Sequence, residues 1–257
     1  MNQEQRRERL IEELLLEQNQ NKIFPKDKLS QELLLRGLMN LRMPRKVSDI
    51  FLETQNTYLQ ERIKEKGITD INDLIPLKED IYLWKGDITT LKCDAIVNAA
   101  NSQMLGCFIP NHRCIDNAIH TFAGIQLREE CARLMQDLGR AAETGEAFLT
   151  NAYNLPSKYV IHTVGPIVVH HLTNQNIADL EQCYLSCLKL AEMKNLTSIA
   201  FCCISTGEFH FPNEDAARIA IETVLNYKKT TKSKIKVIFN VFKEIDYDIY
   251  ARLLKRD

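Results

Sequence analysis

Residues 81–101 read Ile81-Tyr82-Leu83-Trp84-Lys85-Gly86-Asp87-Ile88-Thr89-Thr90-Leu91-Lys92-Cys93-Asp94-Ala95-Ile96-Val97-Asn98-Ala99-Ala100-Asn101, and here the texture of the chain changes. Two short β-rich runs, Ile81–Trp84 and Asp94–Asn98, each end in a polar cluster, Gly86-Asp87-Ile88-Thr89 and Asn98-Ala99-Ala100-Asn101. Further candidate strands follow at Glu146–Asn151, Tyr159–Val164, Ser198–Ile204 and Ile235–Phe242. Amphipathic helices are expected at Ile115–Phe122, Ile125–Gly139, Ile177–Lys194, Glu214–Tyr227 and Asp246–Leu254. Nearly all-apolar strands such as Ile199 to Ile204 imply a sheet covered on both faces. The alternation predicts an α/β fold, a three-layer α/β/α domain around a central mixed, mostly parallel sheet.

Upstream, the pattern is helical and charged. Gln5–Gln18, Ser30–Leu41 and Val47–Lys66 carry apolar residues at three- and four-residue spacing, with Ser30 as a candidate N-cap and Pro25 and Pro44 punctuating the connections. Residues 1–80 therefore read as a small all-helical N-terminal extension, and 81–257 as the α/β domain.

With 33 Lys and Arg against 34 Asp and Glu, the net charge of -1 gives no bulk attraction to nucleic acid or an anionic membrane. No apolar run approaches the ~20 residues that span a bilayer, so a cytoplasmic protein with no membrane partner is expected. Of the eight cysteines, Cys93, Cys131, Cys183, Cys187, Cys202 and Cys203 sit in apolar or helical contexts and read as reduced, buried thiols.

Ligands of such sheets bind where strands pass into helix N-termini. The segment Ser205-Thr206-Gly207-Glu208-Phe209, ahead of the helix from Glu214, offers small residues and backbone N–H groups suited to phosphate or diphosphate; an ordinary helix cap would look the same. Cys107, His112 and Cys114 place three soft ligands within eight residues, with no fourth nearby. That spacing fits an open metal site, for which thiolate and imidazole favour zinc over calcium or magnesium. It fits equally two free thiols beside a surface imidazole.

Taken in order, Gly86-Asp87-Ile88-Thr89, Ile96-Val97-Asn98-Ala99-Ala100-Asn101, Ala118-Ile119-His120, His162-Thr163-Val164-Gly165-Pro166 and Ser205-Thr206-Gly207 resemble the macrodomain family, which binds ADP-ribose. The resemblance covers about residues 81 to 257. It is closest to the zinc-dependent microbial macrodomains, protein-ADP-ribose hydrolases in which a Cys-His-Cys set replaces the usual glycine-rich segment and a helical extension precedes the domain.

That resemblance implies one Zn2+ per chain on Cys107, His112 and Cys114. It implies that Asp87 accepts the adenine amino group, that Ile88 lies beside the adenine, that Asn98 braces its loop and that Asn101 meets the distal ribose. Ser205, Thr206, Gly207, Glu208 and Phe209 would wrap the diphosphate, mainly through backbone N–H, and Asn240-Val241-Phe242 would border the proximal ribose. The chemistry would fall to Asn101, Cys107, His112, Cys114 and Asp116, with Asp116 either orienting a ligand or water, or serving as a first-turn helix carboxylate. His120 reads as packing, and His170 and His171 receive no role. Two departures stand out: His210 lies where many macrodomains have glycine, and the Glu208 carboxylate would repel a diphosphate unless turned away or paired.

The expected activity is removal of mono-ADP-ribose from modified protein side chains, Asp/Glu-linked esters first, by a glycosidase or esterase type of hydrolysis. The implied partners are ADP-ribose and an ADP-ribosylated protein, at family level a lipoylated carrier modified by a sirtuin-type transferase. A non-catalytic ADP-ribose-binding module and an O-acyl-ADP-ribose esterase remain open alternatives.

Overall fold

The computed structural model describes residues 1–257 except Lys22 and Asp257, with Arg256 described by its backbone alone. Three helices come first: α1 (Gln3–Glu17), α2 (Lys28–Leu41) and α3 (Asp49–Lys66). α1 buries Leu10, Ile11, Leu14 and Leu15 as one stripe against Leu35, Leu38 and Met39 of α2 and Phe51, Tyr58 and Leu59 of α3. Each such side chain contributes roughly 1.5–3 kcal/mol on full burial. The cap of α2 is Asp27, not Ser30: the Asp27 carboxylate accepts the Ser30 N–H at 2.9 Å, so the helix starts earlier than the periodicity indicates. Ser48 caps α3 by accepting the Phe51 N–H, and Gly67 ends it at φ +87°.

Among the described residues, eight strands follow: β1 (Thr69–Asp70), β2 (Ile81–Lys85), β3 (Leu91–Lys92), β4 (Ala95–Ala100), β5 (Ala147–Asn151), β6 (Tyr159–Val164), β7 (Ser198–Phe201) and β8 (Lys236–Val241). They interleave with α4 (Ile115–Ala123), α5 (Ile125–Leu138), α6 (Asn174–Met193), α7 (Asn213–Thr231) and α8 (Glu244–Arg256). The main sheet has the order β2-β8-β7-β4-β6-β5, parallel throughout except for the antiparallel β5–β6 pair. It is therefore mixed and mostly parallel, as expected. Residues Ala95 to Asn98 of β4 and all of β7 are buried, which requires helical cover on both faces.

β7 ends at Phe201 rather than Ile204, because Cys203 and Thr206 enter a turn in which the Thr206 N–H and hydroxyl both donate to the Cys203 carbonyl. The two-residue strands β1 and β3 pair parallel to each other, a contact too short for periodicity to reveal.

The extension does not stand apart. Ile125 of α5 joins its apolar cluster, while Ile63 of α3 belongs to the main core. From α5, buried Arg128 donates to the carbonyls of Met39 (3.2 Å), Asn40 (2.8 Å) and Arg42 (2.5 Å), satisfying the C-terminal end of α2. Among the described residues, no helix is long and apolar enough to cross a membrane.

Candidate functional site

Because β2, β4, β6, β7 and β8 are parallel, their C-terminal ends open on one edge, and all the polar clusters meet there. At the β2 exit, the Asn240 side-chain amide donates to the Gly86 carbonyl at 2.9 Å. The Asp87 carboxylate accepts the Thr89 N–H (3.0 Å) and hydroxyl (2.6 Å) and is ion-paired with Lys66 of α3. Burial raises its pKa, but Lys66 and Thr89 outweigh that and hold the carboxyl below its ordinary range. The same Lys66 ammonium lies 3.7 Å from the centroid of the Phe122 ring. The Ile88 side chain is buried in the core.

At the β4 exit, fully buried Asn98 donates to Asp116 at 2.8 Å and lies 3.1 Å from His162 Nδ1. Asn101 donates to the Gly106 carbonyl at 3.2 Å and its oxygen accepts the Gln103 N–H at 3.0 Å. Burial pushes the Asp116 carboxyl up to about 6, opposed by the Asn98 hydrogen bond and the Arg128 charge. Gly106 has to be glycine: its φ is +80°, and an added Cβ would lie 2.8 Å from the His120 ring.

Below this, His120, Cys131 and His162 bring three ligand atoms within 4.8 Å of one another. Both His162 nitrogens are engaged, Nδ1 with Asn98 and Nε2 with Thr150 at 2.9 Å, whereas neither nitrogen of buried His120 has a hydrogen-bond partner among the described residues.

Cys107, His112 and Cys114 also converge within 4.8 Å, with Cys107 Sγ 3.4 Å from His112 Nδ1. Cys114 is the N-cap of α4, its sulfur accepting the Asn117 N–H at 3.4 Å. Burial, with Cys107 and Asp116 adding to it, pushes the Cys114 thiol up to about 12. A soft cation would offset that cost by binding the thiolate, and a set of two sulfurs and one imidazole fits zinc with a position to spare. The loop backbone is held from outside. Asn117 donates to the Ile109 carbonyl (3.0 Å), Arg36 of α2 to the His112 carbonyl (3.0 Å) and to Asn117 Oδ1 (2.7 Å), and the Asn111 N–H to Asn40 of α2 (3.0 Å). Arg128 stacks on Phe108 at 4.4 Å.

The turn after β7 closes on itself. The Phe211 N–H donates to Ser205 (3.0 Å) and the His210 N–H to Gly207 (3.1 Å), with Ser205 at φ +64° and His210 at φ +55°. The position where glycine was expected is indeed left-handed. Among the described residues, no backbone carbonyl accepts the N–H groups of Gly207, Glu208 or Phe209, which leaves a row of donors for an anion. Gly165 lets this turn approach β6: a Cβ there would lie 2.1 Å from Ser205 Oγ. The Glu208 carboxylate is largely exposed and turns toward the neighbouring loop, 3.5 Å from His112 Nε2.

Sequence reading singles out none of Lys66, Arg36 and Asn40. Arg36 and Asn117 are 81 residues apart and Asn40 and Asn111 71, and such pairs leave no local pattern.

The Macro domain family model matches residues 97–220. The chain is 52% identical over 260 residues to a protein-ADP-ribose hydrolase of Treponema medium, covering 99% of this chain and 100% of that protein. It is 48% identical over 256 residues to a protein-ADP-ribose hydrolase of Staphylococcus aureus strain MRSA252, covering 98% and 96%. The solved Trypanosoma brucei macrodomain in complex with ADP-ribose superposes with a TM-score of 0.65 at 31% identity, covering 84% of this chain and 94% of that one.

Proposed function

Because the chain belongs to the macrodomain family, we propose that it is a protein-ADP-ribose hydrolase that uses one zinc ion on Cys107, His112 and Cys114. The observation that carries this reading is the junction of the two loops. Glu208, in the row of free backbone donors, reaches His112 of the metal-competent cluster, so a diphosphate held by the former lies beside the latter.

In this reading Asp87 accepts the adenine amino group, its charge kept by Lys66. The N–H groups of residues 207–209 take the diphosphate, and Asn101 faces the distal ribose. Bound zinc would supply Lewis acidity toward the distal ribose hydroxyls or a water. Hydrolysis adds water across the sugar–protein link, releasing ADP-ribose and the free side chain. The favoured link is the ester of an Asp or Glu side chain, the easier bond to cleave, and a lipoylated carrier protein is the family-level candidate target. Asp116 bridges toward Asn98 and lies 3.5 Å from Asn101, so its action runs through those two amides.

The test is incubation with Asp/Glu-linked and Ser-linked ADP-ribosyl proteins, and with an ADP-ribosylated lipoyl carrier, with and without chelator. Release from the ester-linked substrate, lost on chelation and restored by zinc, is expected. Unaltered turnover by a demonstrably zinc-free protein overturns the metal role, and tight ADP-ribose binding without release from any substrate overturns the hydrolase reading.

A further inference from the structure

We propose that the N-terminal helical unit holds the metal loop in shape and that Arg36 is its principal positioning residue. Three residues on one side of α2 face the loop. Asn40 accepts the Asn111 N–H at 3.0 Å and donates to Thr121 at 3.0 Å. A Cβ added at Gly37 would lie 3.4 Å from Asn111 Nδ2 and 3.6 Å from Pro110 Cβ, so helix and loop are in contact there. Arg36 reaches furthest. Its Nε and Nη2 converge on Asn117 Oδ1 at 3.1 and 2.7 Å, and Nη2 also donates to the His112 carbonyl at 3.0 Å.

The chemistry of these partners gives the arrangement its meaning. Asn117 is fully buried and donates through Nδ2 to the Ile109 carbonyl, so anchoring Oδ1 fixes which way the amide points. The same residue's N–H donates to the Cys114 sulfur, and His112, whose carbonyl Arg36 holds, supplies the imidazole of the cluster. One guanidinium thus sets the backbone of His112 directly and that of Ile109 through Asn117. The planar fork holds its donors in fixed directions, with Nε adding a second bond to Asn117 Oδ1, whereas a lysine ammonium carries three N–H donors on one freely rotating nitrogen. Packing of the extension is served by other residues of the same helix, Leu35, Leu38 and Met39, which face α1 and α3. Arg36 is therefore separable from the stability of the helical unit.

The statement about the loop stands on the geometry alone; its consequence for zinc rests on the proposed metal reading. The experiment uses the full chain with Arg36→Met, which keeps the stem and removes the donors, and Arg36→Lys, which keeps the charge. Arg62→Met serves as control, since Arg62 of α3 pairs with Glu32 and Glu65 and, among the described residues, has no hydrogen bond or ion pair to residues 107–114.

Amide hydrogen exchange of residues 107–114 in metal-free protein should quicken by about tenfold or more in Arg36→Met, less in Arg36→Lys, and not in Arg62→Met. Zinc affinity, read by competition with a chromophoric chelator, should fall by about 10–100-fold in the same order. Unchanged exchange in Arg36→Met, or equal quickening in Arg62→Met, overturns the inference. A wild-type chain that takes no zinc overturns the metal reading and leaves the exchange result to decide the role of Arg36. Should Arg36→Met fail to fold, Arg36→Lys against the same control decides it.

Discussion

The two walls of the candidate site are built on different principles. Asp87 and the Cys107–Cys114 loop lean on side chains of α2 and α3: Lys66, Arg36 and Asn40. The turn from Cys203 to Phe211 closes through its own main chain and through the bare backbone of Gly165. The first wall can be reshaped by residues that never meet a ligand. The second is held mostly by backbone hydrogen bonds, with the Thr206 hydroxyl on the Cys203 carbonyl as a side-chain addition, so a change of φ or of a contacting Cβ disturbs it most.

The sharpest way to break this contrast is at the cluster itself. Cys107→Ala or Cys114→Ala should lower turnover by at least about a hundredfold and remove bound zinc, while ADP-ribose affinity measured by calorimetry stays within a fewfold. An equal loss of affinity would mean that the metal loop also carries the nucleotide, and the walls would not be separable. Gly165→Ala attacks the other wall. Its Cβ would meet Ser205 Oγ at 2.1 Å and Ile204 Cγ2 at 2.9 Å, so overpacking should cost about 1–3 kcal/mol in chemical denaturation. ADP-ribose binding should weaken about tenfold with zinc content unchanged.

Lys66→Met sharpens the contrast through pH. The folded Asp87 carboxyl lies below its unfolded value, so its stabilisation is present above that value and lost as pH falls through the folded pKa. Without Lys66, burial is less opposed, the pKa rises, and the loss begins at higher pH. Melting scans should show the acid limb moving up, with a loss of at most about 1 kcal/mol at neutral pH; an unmoved limb would remove Lys66 from the account. The smallest effect is expected at His210, exposed at φ +55°. His210→Gly relieves about 1 kcal/mol of left-handed strain and returns part of it as chain entropy, so a rise of about 1–2 °C in Tm is expected by calorimetry.

The self-supporting wall was far more legible in the sequence than the leaning one. Ser205 to Phe209 announces a turn by its small residues, and His210 occupies the place of a glycine and adopts the backbone of one. The Cys-His-Cys spacing likewise brought its three ligand atoms together. What stayed hidden is pairing across sequence distance. Glu208 turns toward His112 on another loop, and Arg36 reaches residues 76 and 81 positions away, which no local pattern records. Local rules also misplaced edges. Asp27 competes successfully with Ser30 as a cap because a side chain ahead of the first turn can reach its free N–H groups. β7 stops short of its apolar run because Cys203 turns away to start the turn that ends at Phe211.

The sheet order has a consequence for synthesis. β2, which delivers Asp87, has one partner in the main sheet, and that partner is β8 at Lys236–Val241. The helices of the extension make contacts local in sequence and can collapse as soon as they emerge, whereas the Asp87 end of the candidate site waits for a strand made some 150 residues later. A nascent chain halted before Lys236 would carry a nearly finished Cys107–Cys114 loop together with an unpartnered β2 and an open β7 edge. Those edges are where association with other chains is expected to begin.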